Sequence, residues 1–148
     1  LGKSNIALLF GMDKHAHQLL GESFPHARIF ACISPLTEHF TQKSREDNHR
    51  KLYAHFKRNQ MDIIAFDKGK LLLINTFHCK HTSDTIYYLL HVWQQLGFNQ
   101  ENDQLWLAGK IEAKEDLLTE LNKFLRKVTL IPMQEPLPFD IQTLMTCE

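Results

Sequence analysis

Three apolar runs of strand length stand close together in the middle of the chain, and the turns that separate them are short and polar. Residues 52–57, 61–66 and 70–77 are rich in the aromatic and aliphatic residues that strands favour. Arg58-Asn59-Gln60 parts the first two runs, and Asp67-Lys68-Gly69 parts the second and third. Gly69 suits the positive φ of a tight hairpin. Turns this short leave room only for antiparallel neighbours, so the spacing predicts a three-stranded meander.

The pattern then changes period. Thr82-Ser83-Asp84 is a helix-start signal, and Ile86, Leu89, Leu90, Trp93 and Leu96 recur at the spacing of one helix face. Gly97 marks the stop. Leu105-Trp106-Leu107 within residues 104–108 reads as a strand covered on both faces, ended by Gly109. Leu117, Leu121, Phe124, Leu125 and Val128 predict a second helix face, with Glu112, Lys114, Glu115, Glu120 and Lys123 mostly opposite. Residues 129–131 form a last strand before Pro132, and residues 139–147 a short terminal helix. The order β-β-β-α-β-α-β predicts an α/β domain with a mixed five-stranded sheet and helices on its faces.

Upstream, residues 5–10 and 28–33 read as strands. A helix over residues 14–20 is capped by Asp13 and stopped by Gly21, and Phe24-Pro25 breaks the chain. Ser34-Pro35 is read as an N-cap with proline at the first helical position, followed by Leu36, His39 and Phe40 on an apolar face. Residues 44–50 hold no apolar side chain and are the expected boundary. The chain thus divides into residues 1–45 and residues 51–148.

Charge narrows the function classes. Lys and Arg number 17, as do Asp and Glu, so the net charge is zero. That argues against a nucleic-acid binder gripping phosphates, which needs a basic surplus. No apolar run approaches the roughly 18 residues of a membrane span. The first residues lack the order of a secretory signal, and the absence of an initial Met suggests a processed or excised chain. Cys32, Cys79 and Cys147 are far apart with no Cys-x-x-Cys, which suits a reducing, cytoplasmic compartment rather than a disulfide framework.

His78, Cys79 and His81 form the densest metal-like cluster. A structural zinc site needs about four ligands, so chance clustering in a chain with nine His is the preferred reading and no metal is expected. No Gly-x-Ser-x-Gly elbow anchors a serine hydrolase. The run Leu52-Tyr53-Ala54-His55-Phe56 has no acid, which disfavours two-metal nuclease chemistry despite Asp62 and Asp84 nearby. Tyr87 and Tyr88 diverge by about 100° on a helix, so one of them is expected at a boundary, against the missing first half or a partner.

The stretch Asn75-Thr76-Phe77, then Thr82-Ser83-Asp84-Thr85-Ile86-Tyr87-Tyr88-Leu89-Leu90, Gln95-Leu96-Gly97 and Leu105-Trp106-Leu107-Ala108-Gly109 resembles a family of uncharacterised Bacteroidetes proteins. Those proteins have an actin-like ATPase, ribonuclease-H-like fold and no established activity. The N-terminal part is similar to a segment of the actin-like proteins of type IV pilus assembly. The resemblance implies two actin-like halves, with residues 1–45 closing the first half and residues 51–148 forming the second.

In active actin-like ATPases the turn between the first two strands of each half cradles phosphate with an Asp and a Gly. The matching turn here, His55-Phe56-Lys57-Arg58-Asn59-Gln60, has neither. Asp67 and Gly69 lie in the next hairpin and read as turn chemistry. The family's adenosine-binding glycine pair corresponds to Gly109-Lys110, where a cation replaces one glycine. The expectation is therefore a non-hydrolytic domain acting as a protein–protein interaction scaffold, without cofactor. Its partner would be another protein or the missing N-terminal half, with a homodimer as a further option and no nucleic acid. The alternative is an ATP- and Mg-binding ATPase completed by that half, with Lys57, Arg58, Gly109 and Lys110 lining the cleft. A ribonuclease-H-like nuclease is the weakest reading.

Overall fold

Two tight hairpins set the register of the central sheet. The computed structural model describes Ala7, residues 9–132 and residues 141–143. Strands β1 (Arg50–Lys57), β2 (Gln60–Asp67) and β3 (Lys70–His78) pair antiparallel in sequence. Asn59 takes a positive φ in the first turn, and Lys68 and Gly69 both do in the second. Positive φ at both central residues matches the right-handed twist of the strands it joins.

Helix α3 (Thr82–Gln95) then carries the chain back, so that β4 (Gln104–Gly109) lies parallel to β1. Helix α4 (Lys114–Leu121) repeats the crossover and sets β5 (Val128–Leu130) parallel to β4. The sheet order is β3-β2-β1-β4-β5. A mixed five-stranded sheet is what the sequence order predicts.

Strand alternation sorts side chains to two cores. Leu52, Ala54 and Phe56 of β1 pack with Met61, Ile63, Leu105 and Leu107 under Leu89 and Trp93 of α3 and Leu117 and Leu121 of α4. Tyr53, Ile64, Phe66 and Ala108 face the other way. They meet Leu36 and Phe40 of helix α2 (Ile33–Ser44), and Phe40 stacks on Tyr53 with ring centroids 4.1 Å apart. Burial on both faces explains why the strands read as continuous apolar runs.

Polar ties join α2 to the sheet. Buried Lys51 donates from Nζ to the Lys43 carbonyl at 2.8 Å, in the last turn of α2 where the helix dipole favours a cation, and lies 3.3 Å from Asp47 Oδ2. Asp47 also accepts from Gln104 Nε2 at 3.0 Å. The polar connection after Ser44 is thus pinned at several points.

Several predicted features differ. Residues 28–32 form no strand, and Ile33 already belongs to α2. Strand composition alone does not make a strand without ladder partners, and none of the described residues pairs with this segment. Ala7, Leu9 and Phe10 of the expected 5–10 strand join no ladder, and the rest of that segment lies outside the described residues. Cys32, not Ser34, occupies the N-cap of α2; Ser34 and Pro35 sit inside the first turn, where proline's missing N–H costs nothing.

Helix α1 (Lys14–Ser23) keeps the Asp13 cap, whose Oδ1 accepts from His15 and Ala16 N–H at 3.0 Å, but runs past Gly21 to Phe24. None of its residues is buried. The N-cap of α3 is His81, with Asp84 reaching back to the His81 N–H at 3.1 Å. Helix α4 ends early because Lys123 and Phe124 N–H turn to carbonyls only three residues back. That leaves Phe124 48% exposed while Leu125 is buried. Of the expected terminal helix, residues 141–143 are helical and the remainder lies outside the described residues.

The two ends of the N-terminal region should respond differently to truncation. Phe40→Ala is expected to cost about 3–5 kcal/mol in urea unfolding. Leu19→Ala on the 65% exposed α1 position should stay within about 0.5 kcal/mol.

Candidate functional site

The carboxyl ends of β1, β3 and β4 all point to one end of the sheet, because these strands run parallel to each other. The helices that follow β3 and β4 begin there. Such an end is where open α/β sheets gather ligands. It holds a cavity of about 420 Å³, within the usual range for small-ligand sites. Three loops wall it: the β1–β2 hairpin with Phe56 and Lys57, the β3–α3 junction with Cys79 to Thr82, and the β4–α4 junction with Lys110 and Glu112.

Its charge is modestly basic. Lys57, Lys80 and Lys110 line it against a single acid, Glu112. One of the cations is already engaged, since Lys57 Nζ lies 3.0 Å from Asp62 Oδ2. The start of α3 is also occupied, because Asp84 Oδ2 accepts from the Lys80 and His81 N–H groups at 3.1 Å. Burial pushes the Cys79 thiol up, a hydrogen bond with Thr85 opposes this, and the Asp84 carboxylate adds to the rise. The cavity therefore presents a thiol rather than a nucleophilic thiolate.

Behind the hairpin sits a buried polar cluster. The tight β1–β2 turn sets His55 opposite Asp62, and Asp62 opposite Thr76 of β3. Asp62 is 4% exposed and His55 is 2% exposed. Thr76 Oγ1 donates to Asp62 Oδ1 at 2.7 Å, and His55 Nδ1 lies 3.6 Å from Oδ2. Burial alone would raise the Asp62 carboxyl. Hydrogen bonds from His55, Thr76 and Lys57 outweigh it, and the Lys57 charge adds to them, holding the pKa at about 2. This carboxylate is not among the residues lining the cavity.

Gly109 closes β4 with a φ of +90°, and its Lys110 N–H donates to the Phe56 carbonyl at 3.2 Å. A Cβ at Gly109 would collide with the backbone of Phe56 and press on the His55 ring. The glycine is required for β4 to leave the sheet beside β1.

Of the four sequence-predicted site residues, Lys57 and Lys110 line the same cavity. Arg58 and Gly109 do not. Arg58 is exposed in the turn, and Gly109 lines a separate, smaller cavity with Ile111 and Ile131. Sequence reasoning missed Lys80 and Glu112, which only the shared strand direction brings together. It also missed the His55–Asp62 pair, although counting outward from a two-residue turn would have set them opposite. No group of three or more His, Cys, Asp or Glu side chains among the described residues is arranged to hold a metal ion.

With this geometry in view, kinship can be stated. A family model described as "Protein of unknown function (DUF3822)" matches residues 1–128. The chain belongs to this family. A crystal structure from Bacteroides thetaiotaomicron VPI-5482, described as a protein with actin-like ATPase fold and unknown function, superposes with a TM-score of 0.84 at 46% identity. The match covers 94% of this chain and 53% of that one, so the chain spans about half the length of its neighbour. The DUF3822 chain therefore has the actin-like fold. Archaeoglobus fulgidus Pelota aligns at 11% identity over 74% of this chain and 35% of its own, with a TM-score of 0.44, too slight a likeness to bear on fold. None of the curated proteins matches the chain. No helix among the described residues is long and apolar enough to cross a membrane.

Two outcomes follow from the cluster and its glycine. The folded Asp62 pKa lies below the unfolded value of 3.8, so its stabilisation is complete above about pH 4 and is lost as pH falls through about 2. Acid titration of stability should show this limb, about 2 kcal/mol deep, and Asp62→Asn should flatten it. Gly109→Ala should lower the urea midpoint by an amount corresponding to at least about 2 kcal/mol, from steric and φ strain together.

Proposed function

We propose that this domain does not hydrolyse nucleotide and works through protein contacts. The observation that carries the first part is the state of the acid nearest the expected phosphate turn. Hydrolysis of a nucleoside triphosphate relies on carboxylates that hold a divalent cation and orient water toward the phosphate. Asp62 is buried and held by Lys57, Thr76 and His55. The turn itself closes with Arg58 and Asn59 between paired Lys57 and Gln60, leaving no glycine-rich loop to wrap a phosphate.

The second part is supported by apolar surface. Leu19, Phe24 and Phe30 are exposed on and after α1, which buries none of its residues. An apolar surface of this kind marks an interaction site in soluble proteins. We read it as facing a further part of a longer protein, consistent with a neighbour about twice as long. On this reading residues 1–45 close one actin-like half and residues 51–148 form another.

A second reading is favoured by the cavity lysines. Lys80 and Lys110 at the carboxyl ends of parallel strands could meet the phosphates of ATP if a preceding half supplied the metal-binding acids.

Thermal unfolding with and without MgATP separates the two. The proposal expects no shift in midpoint, since a ligand well above its dissociation constant stabilises by mass action. A clear rise that Lys110→Glu removes would establish the nucleotide reading instead. Lys110 is exposed and suits this test better than Gly109, whose replacement strains the fold.

A further inference from the structure

Strand β3 ends the sheet, and no described residue pairs with its outer side. The direction of its backbone groups can be read from one hydrogen bond. The Thr76 N–H donates to its own neighbour, Asn75 Oδ1, at 2.9 Å. It therefore points away from β2, and the alternation of an antiparallel ladder turns the Ile74 and His78 N–H groups outward as well. The Cys79 N–H, of opposite parity, donates inward to the Asn59 carbonyl at 3.1 Å. Natural sheets blunt such edges with bulges and lysines. Here the register shift opposite Ala65 and Phe66 distorts only the first part of β3. The stretch from Leu73 to His78 is regular.

An aromatic row adjoins this open stretch. Phe77 stacks on Tyr88 with centroids 4.6 Å apart, Tyr88 meets Tyr87 at 5.4 Å, and Tyr87 stacks on His91 at 5.7 Å. Tyr87 is 62% exposed. The row leads from the edge strand across α3 to solvent. A strand added beside β3 would place alternate side chains on the α3 face, next to this row.

Charge selects the occupant. Strand β3 carries no acid. Exposed Lys68 and Lys70 stand at one end and exposed Lys80 just past the other, and among the described residues none has an ion-pair partner. The nearby acids are committed: Asp67 lies 3.5 Å from Arg50 Nε, Asp84 caps α3, and Asp62 is buried. A second copy pairing antiparallel about Ile74 would gather these cations at both ends, which is unfavourable. An extended segment with acids at its ends would neutralise them.

We infer that the outer edge of β3 binds an extended peptide segment of a protein partner as an added strand. Acidic residues of the segment meet Lys68, Lys70 and Lys80, and an apolar side chain lies against Tyr87 and Tyr88. This inference rests on the protein-contact reading and deepens it. Backbone groups supply affinity in such β-augmentation, and side chains on alternate positions supply selectivity.

Selection of peptides from a random displayed library on the full chain tests it. The enriched peptides should alternate apolar residues between acidic ends. Their binding should slow amide exchange at Ile74, Thr76 and His78, weaken with added salt, and fall about tenfold in Tyr87→Ala. His78→Pro, which removes an outward donor, should weaken it similarly; exposed Tyr87 keeps the test intact if the proline variant misfolds. Failure to enrich any peptide, or enriched peptides that leave those three amides exchanging as in the free chain, would overturn the inference. Stabilisation by MgATP, by contrast, would remove the protein-contact reading without altering the outcome at the edge.

Discussion

Strand β1 is hydrogen-bonded on both sides and buried on both faces, and the rest of the molecule is arranged around that condition. Its antiparallel partner arrives through a turn of two residues, and its parallel partner through a helical crossover. Each face then needs its own cover. Helices α3 and α4 supply one, and α2 supplies the other through Leu36 and Phe40. The carboxyl end of β1 becomes the wall of the cavity, and its side chains at alternate positions become core, polar cluster or cavity lining.

The same strand places the chemistry. A single step along β1 separates Phe56, in the larger core, from His55, in the cluster around Asp62. That cluster gives a buried carboxylate the Thr76 hydrogen bond and the nearby Lys57 charge, and it draws Lys57 away from an uncommitted role. Gly109 then lets β4 pass close enough to seal the His55 side. A carboxylate used in this way supports the structure of the sheet end and is not presented to the cavity.

The sheet's two edges differ in kind. On one side β5 is a short strand of three residues. On the other, β3 is long, apolar and flanked by lysines, with an aromatic row at its side. The two edges lie at opposite sides of the sheet, with β2, β1 and β4 between them.

Local signals were enough for the elements from Arg50 to Leu130: strand-length apolar runs, two polar turns and one clear helical period made the order of elements along the chain legible in advance. They failed where a partner decides the outcome. Residues 28–32 have strand composition but pair with none of the described strands, and Phe124 has helical spacing but lies past a turn that ends α4. Lys57 and Lys110 were legible as neighbours through the family resemblance, whereas Lys80 joins them only because parallel strands finish at the same end. The sequence by itself determined the meander, the crossovers and the absence of an acid or glycine in the first turn, because these depend on neighbours along the chain. Only the tertiary structure decided that Asp62 is buried beside Lys57, Thr76 and His55 and that no described residue pairs with the outer side of β3, because burial and pairing depend on what distant segments bring alongside.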